Sequence, residues 1–309
     1  MARFLWFFLL TGCASSTLLP ASSELQPWTT SLRDQQPEDA FAAIYKVGPK
    51  HLIFVAAKHA NRDDSLTFRL IRDAYAAFEI DTVIAEGFAT SRGANPPSVF
   101  EYASKSAVRP DGFVEGGETL PTVLGARQEN ATLWGGEPDD LVIRARILAN
   151  GFSAEDLLGF YVLRNIPQWI GERQIEHAGD PRLQSLVVAA LSRNRLTLAL
   201  PGTVLPDFAK WTAWYQALNQ RPIGADFVTE EVGPLADGRF GTNRIAYAIS
   251  RERDAYLHEL IIAHLSDRET VLVVFGASHL MIHRPALDAV LGQPCYSGSN
   301  LDFGASICR

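Results

Sequence analysis

Residues 51–59 read HLIFVAAKH, and this stretch decides the predicted fold. Residues 52–57 are all apolar, without the alternation of polar and apolar side chains that marks a half-exposed strand. Continuous apolar runs of this length are typical of strands that are buried on both faces of a parallel sheet. The stretch therefore predicts a buried parallel strand, with His59 just beyond its carboxyl end.

Three further apolar runs have the same character, and amphipathic segments follow or separate them. The runs are 82–85, 131–134 and 270–275, with a weaker strand pattern at 196–200. The predicted helices are 65–78, 139–149, 153–163, 181–191, 244–265 and 285–291. Strands that alternate with helices predict an α/β fold, with a central, mainly parallel sheet flanked by helices. Residues 88–130 and 201–243 are expected to form long helical or loop insertions over the carboxyl edge of the strands.

Composition excludes several classes of protein. The chain has 309 residues, of which 47% are hydrophobic and 20% charged, a balance that excludes disordered and collagenous chains. The formal net charge is -7 and no run of Lys or Arg occurs, so the basic surface that nucleic-acid binding requires is missing. We therefore expect no nucleic-acid partner.

The amino terminus carries a short apolar run, residues 4–10, after a single charge at Arg3. Seven residues are too few to span a bilayer, which takes about 20 in a helix. The following Leu10-Thr11-Gly12-Cys13 resembles the bacterial lipobox, in which the thiol of the cysteine takes a diacylglyceryl group. The resemblance implies a signal peptide at 1–12 and lipidation of Cys13. We expect a tether at 13–40 after it, and one α/β domain at 41–309. The resemblance also implies an outer-membrane lipoprotein that faces the periplasm and touches the membrane through its lipid alone. The alternative is a buried N-terminal strand with an incidental cysteine.

Two cysteines, Cys295 and Cys308, remain near the C-terminus. In an oxidising compartment such a pair predicts a disulfide. The alternative is a thiolate metal site or a nucleophile, which is disfavoured because neither cysteine has a second cysteine at ligand spacing.

Each of the four predicted strands is followed by a residue that can bind a metal or move a proton. These residues are His59, Glu86, Glu137 and His279. In open parallel sheets, ligands bind beyond the carboxyl ends of the strands, so the four side chains should converge. The alternative is that each one only caps the turn that follows its strand. The small residues beside them, such as Gly135 and Gly276, favour a binding pocket.

The predicted helix 244–265 contributes Glu252 and Arg253, which flank its apolar stripe at 100° per residue. A charge beside a buried stripe is unfavourable unless it is paired or functional, so the two form either a structural ion pair or part of the site. The same projection predicts that Asp254 faces away.

Other polar residues rank lower as site candidates. Glu118 and Arg92 could reach the pocket from the long insertion, and His283 is either a further ligand or, as favoured, a residue at a helix N-terminus. We predict that the remaining histidines are surface or hydrogen-bonded residues, namely His51, His177, His258 and His264.

These residues resemble the motifs of the TraB/Tiki, erythromycin esterase and ChaN-like superfamily. The corresponding segments are Ala56-Ala57-Lys58-His59 for its first G-x-x-H, Val83-Ile84-Ala85-Glu86 with Arg92, Gly135-Gly136-Glu137, Glu252-Arg253-Asp254, and Gly276-Ala277-Ser278-His279 for its last G-x-x-H. Ala57 stands where the esterase and ChaN branches carry Glu, which favours the TraB/Tiki branch.

The resemblance implies a metal-dependent hydrolase of peptide or ester bonds. His59, His279 and one or both of Glu86 and Glu137 would hold Zn, Mn or Co, and any carboxylate not bound to the metal would act as general base. The substrate would be a small molecule or a peptide. Arg253 would polarise the substrate carbonyl from outside the ligand shell, and Glu252 would orient it. The alternatives are a haem- or iron-binding lipoprotein, with His59 or His279 as axial ligand, and a non-catalytic envelope scaffold.

Overall fold

The computed structural model describes residues 25–106, 108–267 and 269–309, and its helices and strands follow one another along these ranges. In chain order they are α1 (Thr30–Gln35), β1 (Phe41–Val47), β2 (Lys50–Ala57), α2 (Leu66–Ala77), β3 (Thr82–Ala89), α3 (Pro97–Lys105), α4 (Thr119–Gln128), β4 (Thr132–Glu137), α5 (Asp140–Ala149), α6 (Ala154–Leu163), α7 (Ile166–Gly171), α8 (Leu183–Thr197), α9 (Phe208–Asn219), α10 (Gly241–Ser266), β5 (Val271–Gly276), α11 (Ala277–Leu291), β6 (Tyr296–Gly298) and α12 (Leu301–Cys308). The predicted signal peptide 1–12 and the predicted lipidation residue Cys13 lie outside the described residues.

The strands form one six-stranded sheet in the order β4-β3-β5-β2-β1-β6. Strands β4, β3, β5 and β2 are mutually parallel, whereas β1 pairs antiparallel with β2 and β6 pairs antiparallel with β1. The predicted α/β class with a mainly parallel sheet is thus confirmed. The sequence analysis did not predict β1 or β6.

Helices cover both faces of this sheet, so alternate residues of one strand pack into different layers. In β2, Ile53 and Val55 pack into a layer formed with α2 and α4. Leu52 and Phe54 point to the other side, where α10 and α11 supply Leu257, Leu280 and other apolar side chains. Burial of both faces explains why the strand is apolar at every position.

A separate helical core packs beside the sheet. Its buried side chains come mainly from α5, α6, α8, α9 and the first turns of α10. The two long insertions contain helices, α3 and α4 in the first and α9 in the second. The weak strand prediction at 196–200 is wrong, because Thr197 ends α8 and Leu198 is its C-cap.

The segment predicted as a tether folds onto the body of the protein from residue 25 onward. Trp28 and Leu32 are buried against Leu235 and Ile282. The folded unit therefore begins before residue 41, because two large apolar side chains of this segment find apolar partners on α11 and on the loop before α10.

Both edges of the sheet are short or covered. Beside the outer edge strand β4, the Asn95 backbone N–H donates to the Leu133 carbonyl (2.8 Å), and the Asn95 side chain accepts from the Leu133 N–H (2.8 Å). Asn95 has a φ of 51°, a left-handed conformation that asparagine tolerates better than most residues. At the opposite edge, β6 has only three residues.

The C-terminal segment is closed by the predicted disulfide between Cys295 and Cys308, with a Cα–Cα distance of 5.5 Å. This bond ties α12 to the chain that enters β6, and α12 packs on α2 and β1. Every helix within the described ranges is too short or too polar to traverse a lipid bilayer.

Candidate active site

The carboxyl ends of the four parallel strands bring the predicted site residues to one edge of the sheet. Ala57 of β2 pairs with Gly276 of β5, and Ala85 of β3 pairs with Val274 of the same strand. His59 lies two residues beyond β2, Glu86 follows Ala85 in β3, Glu137 ends β4, and His279 is in the first turn of α11. The side chains expected to converge therefore do so, around Glu86.

The carboxylate of Glu86 is the centre of the cluster. Its Oε2 accepts a hydrogen bond from the Gly276 N–H (2.8 Å), and its Oε1 accepts one from Arg253 Nη2 (2.8 Å). His279 Nε2 lies 3.7 Å from the same Oε1. Burial alone would raise the pKa of Glu86, but the nearby positive charges of His279, Arg253 and His59 hold it well below its usual value.

Arg253 lies between two carboxylates. Its Nε donates to Glu137 Oε2 (2.6 Å) and its Nη2 to Glu137 Oε1 (2.5 Å), a bidentate pair, while Nη2 also reaches Glu86. Burial works against the charged guanidinium, but the two glutamates raise the pKa of Arg253 well above its usual value. This differs from the sequence-based expectation for Glu137, because both of its oxygens accept from Arg253 and are not free for a metal or for base catalysis.

His279 pairs with Asp254, the residue that was predicted to face away. His279 Nδ1–H donates to Asp254 Oδ1 (2.5 Å), and Ser250 Oγ donates to Asp254 Oδ2 (3.1 Å). Burial lowers the pKa of His279, but Asp254 and Glu86 outweigh it and raise the pKa to about 10. The converse holds for Asp254: burial would raise its pKa, and the histidines lower it below its usual range. The prediction for Asp254 is wrong because α10 is buried on more than one face, against helices on one side and against α11 and the sheet on the other.

His59 is the exposed member of the cluster. Its imidazole is 67% exposed, and its Nδ1 makes a short hydrogen bond to Glu118, which is only 16% exposed. That hydrogen bond raises the pKa of His59, although burial opposes it. Glu118 directly precedes α4, so the long insertion does reach the site, through this residue.

Gly276 keeps space open between His59 and Glu86. A Cβ at this position would lie 3.2 Å from His59 Nε2 and 3.5 Å from Glu86 Oε2. His59 Nε2 and Glu86 Oε2, which also accepts from the Gly276 N–H, therefore border the same small space.

Two predicted candidates lie apart from the cluster. Glu252 accepts from Arg146 Nη1 (3.0 Å) and from Asn150 Nδ2 (3.2 Å), an ion pair between α10 and α5. Glu252 therefore does not orient Arg253, and the structure has the alternative, a structural ion pair. Arg92 is exposed at the end of a short 3-10 helix, Thr90–Arg92.

Two further histidines lie beneath the cluster, contrary to the sequence-based interpretation. His283 is fully buried within α11 instead of standing at its N-terminus, and its Nε2 lies 3.3 Å from Asp254 Oδ1. His258, predicted as a surface or hydrogen-bonded residue, is also buried and packs against His283 with ring centroids 5.6 Å apart. The (i, i+4) spacings 254/258 and 279/283 on two adjacent helices were the signal that could have located this pair.

Within the ranges that the structure describes, no three or more His, Cys, Asp or Glu side chains form a group arranged to hold a metal ion. Comparison of the chain with protein-family models, with curated proteins and with solved structures finds no significant match.

Proposed function

We propose that this protein is a hydrolase that adds water to an ester or peptide bond, with His59 as the general base. The observation that carries the proposal is the state of the His59 imidazole. Its Nδ1–H is held by Glu118, so the lone pair is on Nε2, which faces the space beside Gly276. An imidazole oriented by a carboxylate and open to solvent is an arrangement suited to removing a proton from water.

Glu86 would position that water. A water molecule between His59 Nε2 and Glu86 Oε2 would donate one hydrogen to each acceptor and turn an oxygen lone pair outward. Attack of this oxygen on a carbonyl carbon forms a new C–O bond and a tetrahedral intermediate, while one water proton passes to His59. The C–N bond of the peptide, or the C–O bond of the ester, then breaks as His59 returns that proton to the leaving amine or alkoxide. Arg253 and charged His279 keep Glu86 ionised, which is what an acceptor for the water requires.

A divalent metal is the second candidate for activating the water. It is favoured by one observation: both imidazoles have Nδ1 on a carboxylate, His279 Nε2 lies 3.7 Å from Glu86 Oε1, and His59 Nε2 borders the same space as Glu86 Oε2. Imidazoles oriented by carboxylates in this way are common in metal sites. His59, His279 and Glu86 would hold the ion, Zn, Mn or Co, and Glu137 would not, because Arg253 binds both of its oxygens. The ion would lower the pKa of its bound water.

The test is an assay of the purified chain on chromogenic esters and on a library of fluorogenic peptides, with EDTA and with added Zn, Mn or Co. We expect His59→Gln to reduce turnover by about 10²- to 10⁴-fold. His177→Gln, at an exposed histidine on the segment between α7 and α8, is the matched control and should retain activity. Full activity of His59→Gln, or no turnover of either substrate class under any metal condition, would contradict the proposal.

The same preparation tests the remaining alternatives. Dependence of activity on one added metal would favour the metal-assisted form. A Soret absorption band that disappears in His59→Ala or His279→Ala would replace the hydrolase by the haem-binding alternative. The lipid at Cys13 and the outer-membrane location stay predictions, which mass spectrometry of envelope protein would check.

A further inference from the structure

Helix α11, which carries His279, contains a proline in its interior. Pro285 has no N–H, so the carbonyl of Met281, four residues earlier, lacks its usual helical donor. A buried or half-buried carbonyl without a donor is unfavourable. The turn that is affected lies between His279 and His283, the two histidines of α11 that face Asp254.

The N-terminal segment supplies the missing donor and one further hydrogen bond. Gln26 Nε2 donates to the Met281 carbonyl (2.5 Å), and the Gln26 backbone N–H donates to the Ile282 carbonyl (3.2 Å). The first of these bonds joins positions 255 residues apart in the sequence. A glutamine of one segment therefore replaces the backbone donor that Pro285 removes from another.

Residues 25–36, hereafter the strap, are held at further points. Trp28 packs on Ile282 in one apolar cluster, and the Trp28 carbonyl accepts from the Ala236 N–H (2.7 Å). The Thr30 N–H donates to Asp237 (2.8 Å). The strap thus bridges α11, which provides His279, and the loop before α10, the helix that provides Asp254.

A cavity of about 260 Å³ lies beneath the strap. Gln26 and Trp28 line it on the strap side, and Ser250 and Asp254 line it on the side of α10. Asp254 is only 2% exposed, and the strap forms part of what separates it from solvent. Helix α11 is consequently fixed on one face by the strap and on the other by the hydrogen bond of His279 to Asp254.

We propose that the strap is a positioning element for the site, in which Gln26 completes the interrupted turn of α11 and so fixes His279 against Asp254. Gln26 touches no substrate in this scheme and acts through the Met281 carbonyl. The inference does not rest on the proposed hydrolysis, because the geometry of the His279–Asp254 pair can be measured without a substrate.

The first test is a double-mutant cycle between Gln26 and Pro285 on the full chain. Gln26→Ala should lower the folding equilibrium constant about 5- to 30-fold, because it leaves the Met281 carbonyl without a donor. In a Pro285→Ala background, the introduced alanine supplies a backbone N–H to that carbonyl, so Gln26→Ala should then change the constant by less than about 2-fold. Equal effects of Gln26→Ala in both backgrounds, measured by urea unfolding, would overturn the proposal.

The second test reads the site itself. In protein labelled with ¹⁵N-histidine, the Nδ1 proton of His279, assigned by its loss in His279→Gln, should give a downfield, slowly exchanging NMR signal. Gln26→Ala should broaden or shift it, and Gln26→Ala/Pro285→Ala should restore it. Gln35→Ala is the matched control, since Gln35 is exposed on the strap and its amide reaches only Ser31 Oγ (3.4 Å). An unchanged signal in Gln26→Ala would show that the strap stabilises the fold without positioning His279.

Discussion

The chemistry of His59 depends on one hydrogen bond, the one it donates to Glu118. Because that bond raises the pKa of His59 above 6.5, the basic form becomes populated only as the pH rises through this higher value. A general base works when it is unprotonated, so activity should increase with pH over the same range. The pH profile of activity is therefore a direct report on this pair.

Replacement of the partner gives the first prediction. Glu118→Gln should move the rising limb of the kcat/KM profile to lower pH, and it should lower the plateau about 10- to 100-fold because the imidazole is less firmly oriented. Steady-state kinetics across the pH range measure both effects. Glu115→Gln, an exposed carboxylate three residues earlier in the same loop, serves as control and should leave the profile in place. A limb that does not move in Glu118→Gln would contradict the role given to this hydrogen bond.

Gly276 gives the second prediction at this scale. Its φ of -51° is open to any residue, so Gly276→Ala meets no backbone strain, yet the added Cβ enters the space between His59 and Glu86. We expect kcat/KM to fall about 10- to 100-fold, through displacement of the attacking water, with little change in thermal unfolding. Gly171→Ala, where a Cβ meets nothing within 4 Å, is the control. Wild-type activity in Gly276→Ala would show that the reaction occurs elsewhere.

At the scale of elements, the sequence predicted what buried apolar runs can reveal. Strands β2, β3, β4 and β5 are apolar on both faces, so their existence and the convergence of their ends followed from the pattern. The strand β1 did not follow, because its apolar residues 41–45 lead directly into Lys46 and a Gly48 turn toward β2. The pattern at 196–200 wrongly predicted a strand, because its alternating leucines lie at the end of helix α8, where Leu196 is 82% exposed.

The largest error concerns α10, the longest of the described helices. A single apolar stripe fits a helix that packs on one surface, but this one has 26 residues and packs on two. The rotation angle alone therefore assigned Asp254 to solvent and left Glu252 as either a site residue or a structural ion pair. In the structure, Asp254 belongs to the site and Glu252 pairs with Arg146. The position of each side chain depends on a partner from another element: Arg146 binds Glu252, and His279 binds Asp254. The sequence pattern of α10 contains neither partner.

The C-terminal unit of β6 and α12 depends on its disulfide. Reduction, or the double substitution Cys295→Ala/Cys308→Ala, should lower the free energy of unfolding by about 3 kcal/mol, because it releases a loop of about 14 residues in the unfolded chain. Guanidinium unfolding of the oxidised and reduced protein measures the difference. Identical midpoints for both forms would mean that α12 is held by its contacts with α2 and β1 alone.

At the scale of the whole molecule, the site cluster joins the sheet to the helices. Glu86 belongs to β3, Glu137 to β4, Arg253 and Asp254 to α10, and His279 to α11. Ion pairs that connect separate layers stabilise the native state only while the partners are charged. Stability of the entire fold should consequently respond to pH through these groups.

The pKa of His279 gives the direction in which stability changes with pH. Its pKa is about 10 in the folded protein and 6.5 in an unfolded chain, so its contribution is complete below pH 6.5 and is lost as the pH rises to about 10. Wild-type unfolding free energy should therefore decline across this window. Asp254→Asn should lower the free energy of unfolding by about 3 to 5 kcal/mol at pH 7 and reduce its dependence on pH. Urea unfolding from about pH 6 to 10 tests this, with the exposed Asp267→Asn at the end of α10 as control. If the unfolding free energy of Asp254→Asn declines with pH as steeply as that of the wild type, the His279–Asp254 pair is not the cause of the decline.

The two edges of the sheet bear on how the protein behaves when it is crowded. An open row of strand N–H and C=O groups can template the addition of a strand from another molecule, the first step toward aggregates. Asn95 occupies the backbone groups of Leu133 on one side, and the other side offers only the three residues of β6, followed at once by α12. Each edge strand therefore offers few unpaired backbone groups to a strand from another molecule. Concentrated solutions should resist sheet-to-sheet polymerisation. Asn95→Gly, which removes the side-chain acceptor for the Leu133 N–H, should weaken that resistance.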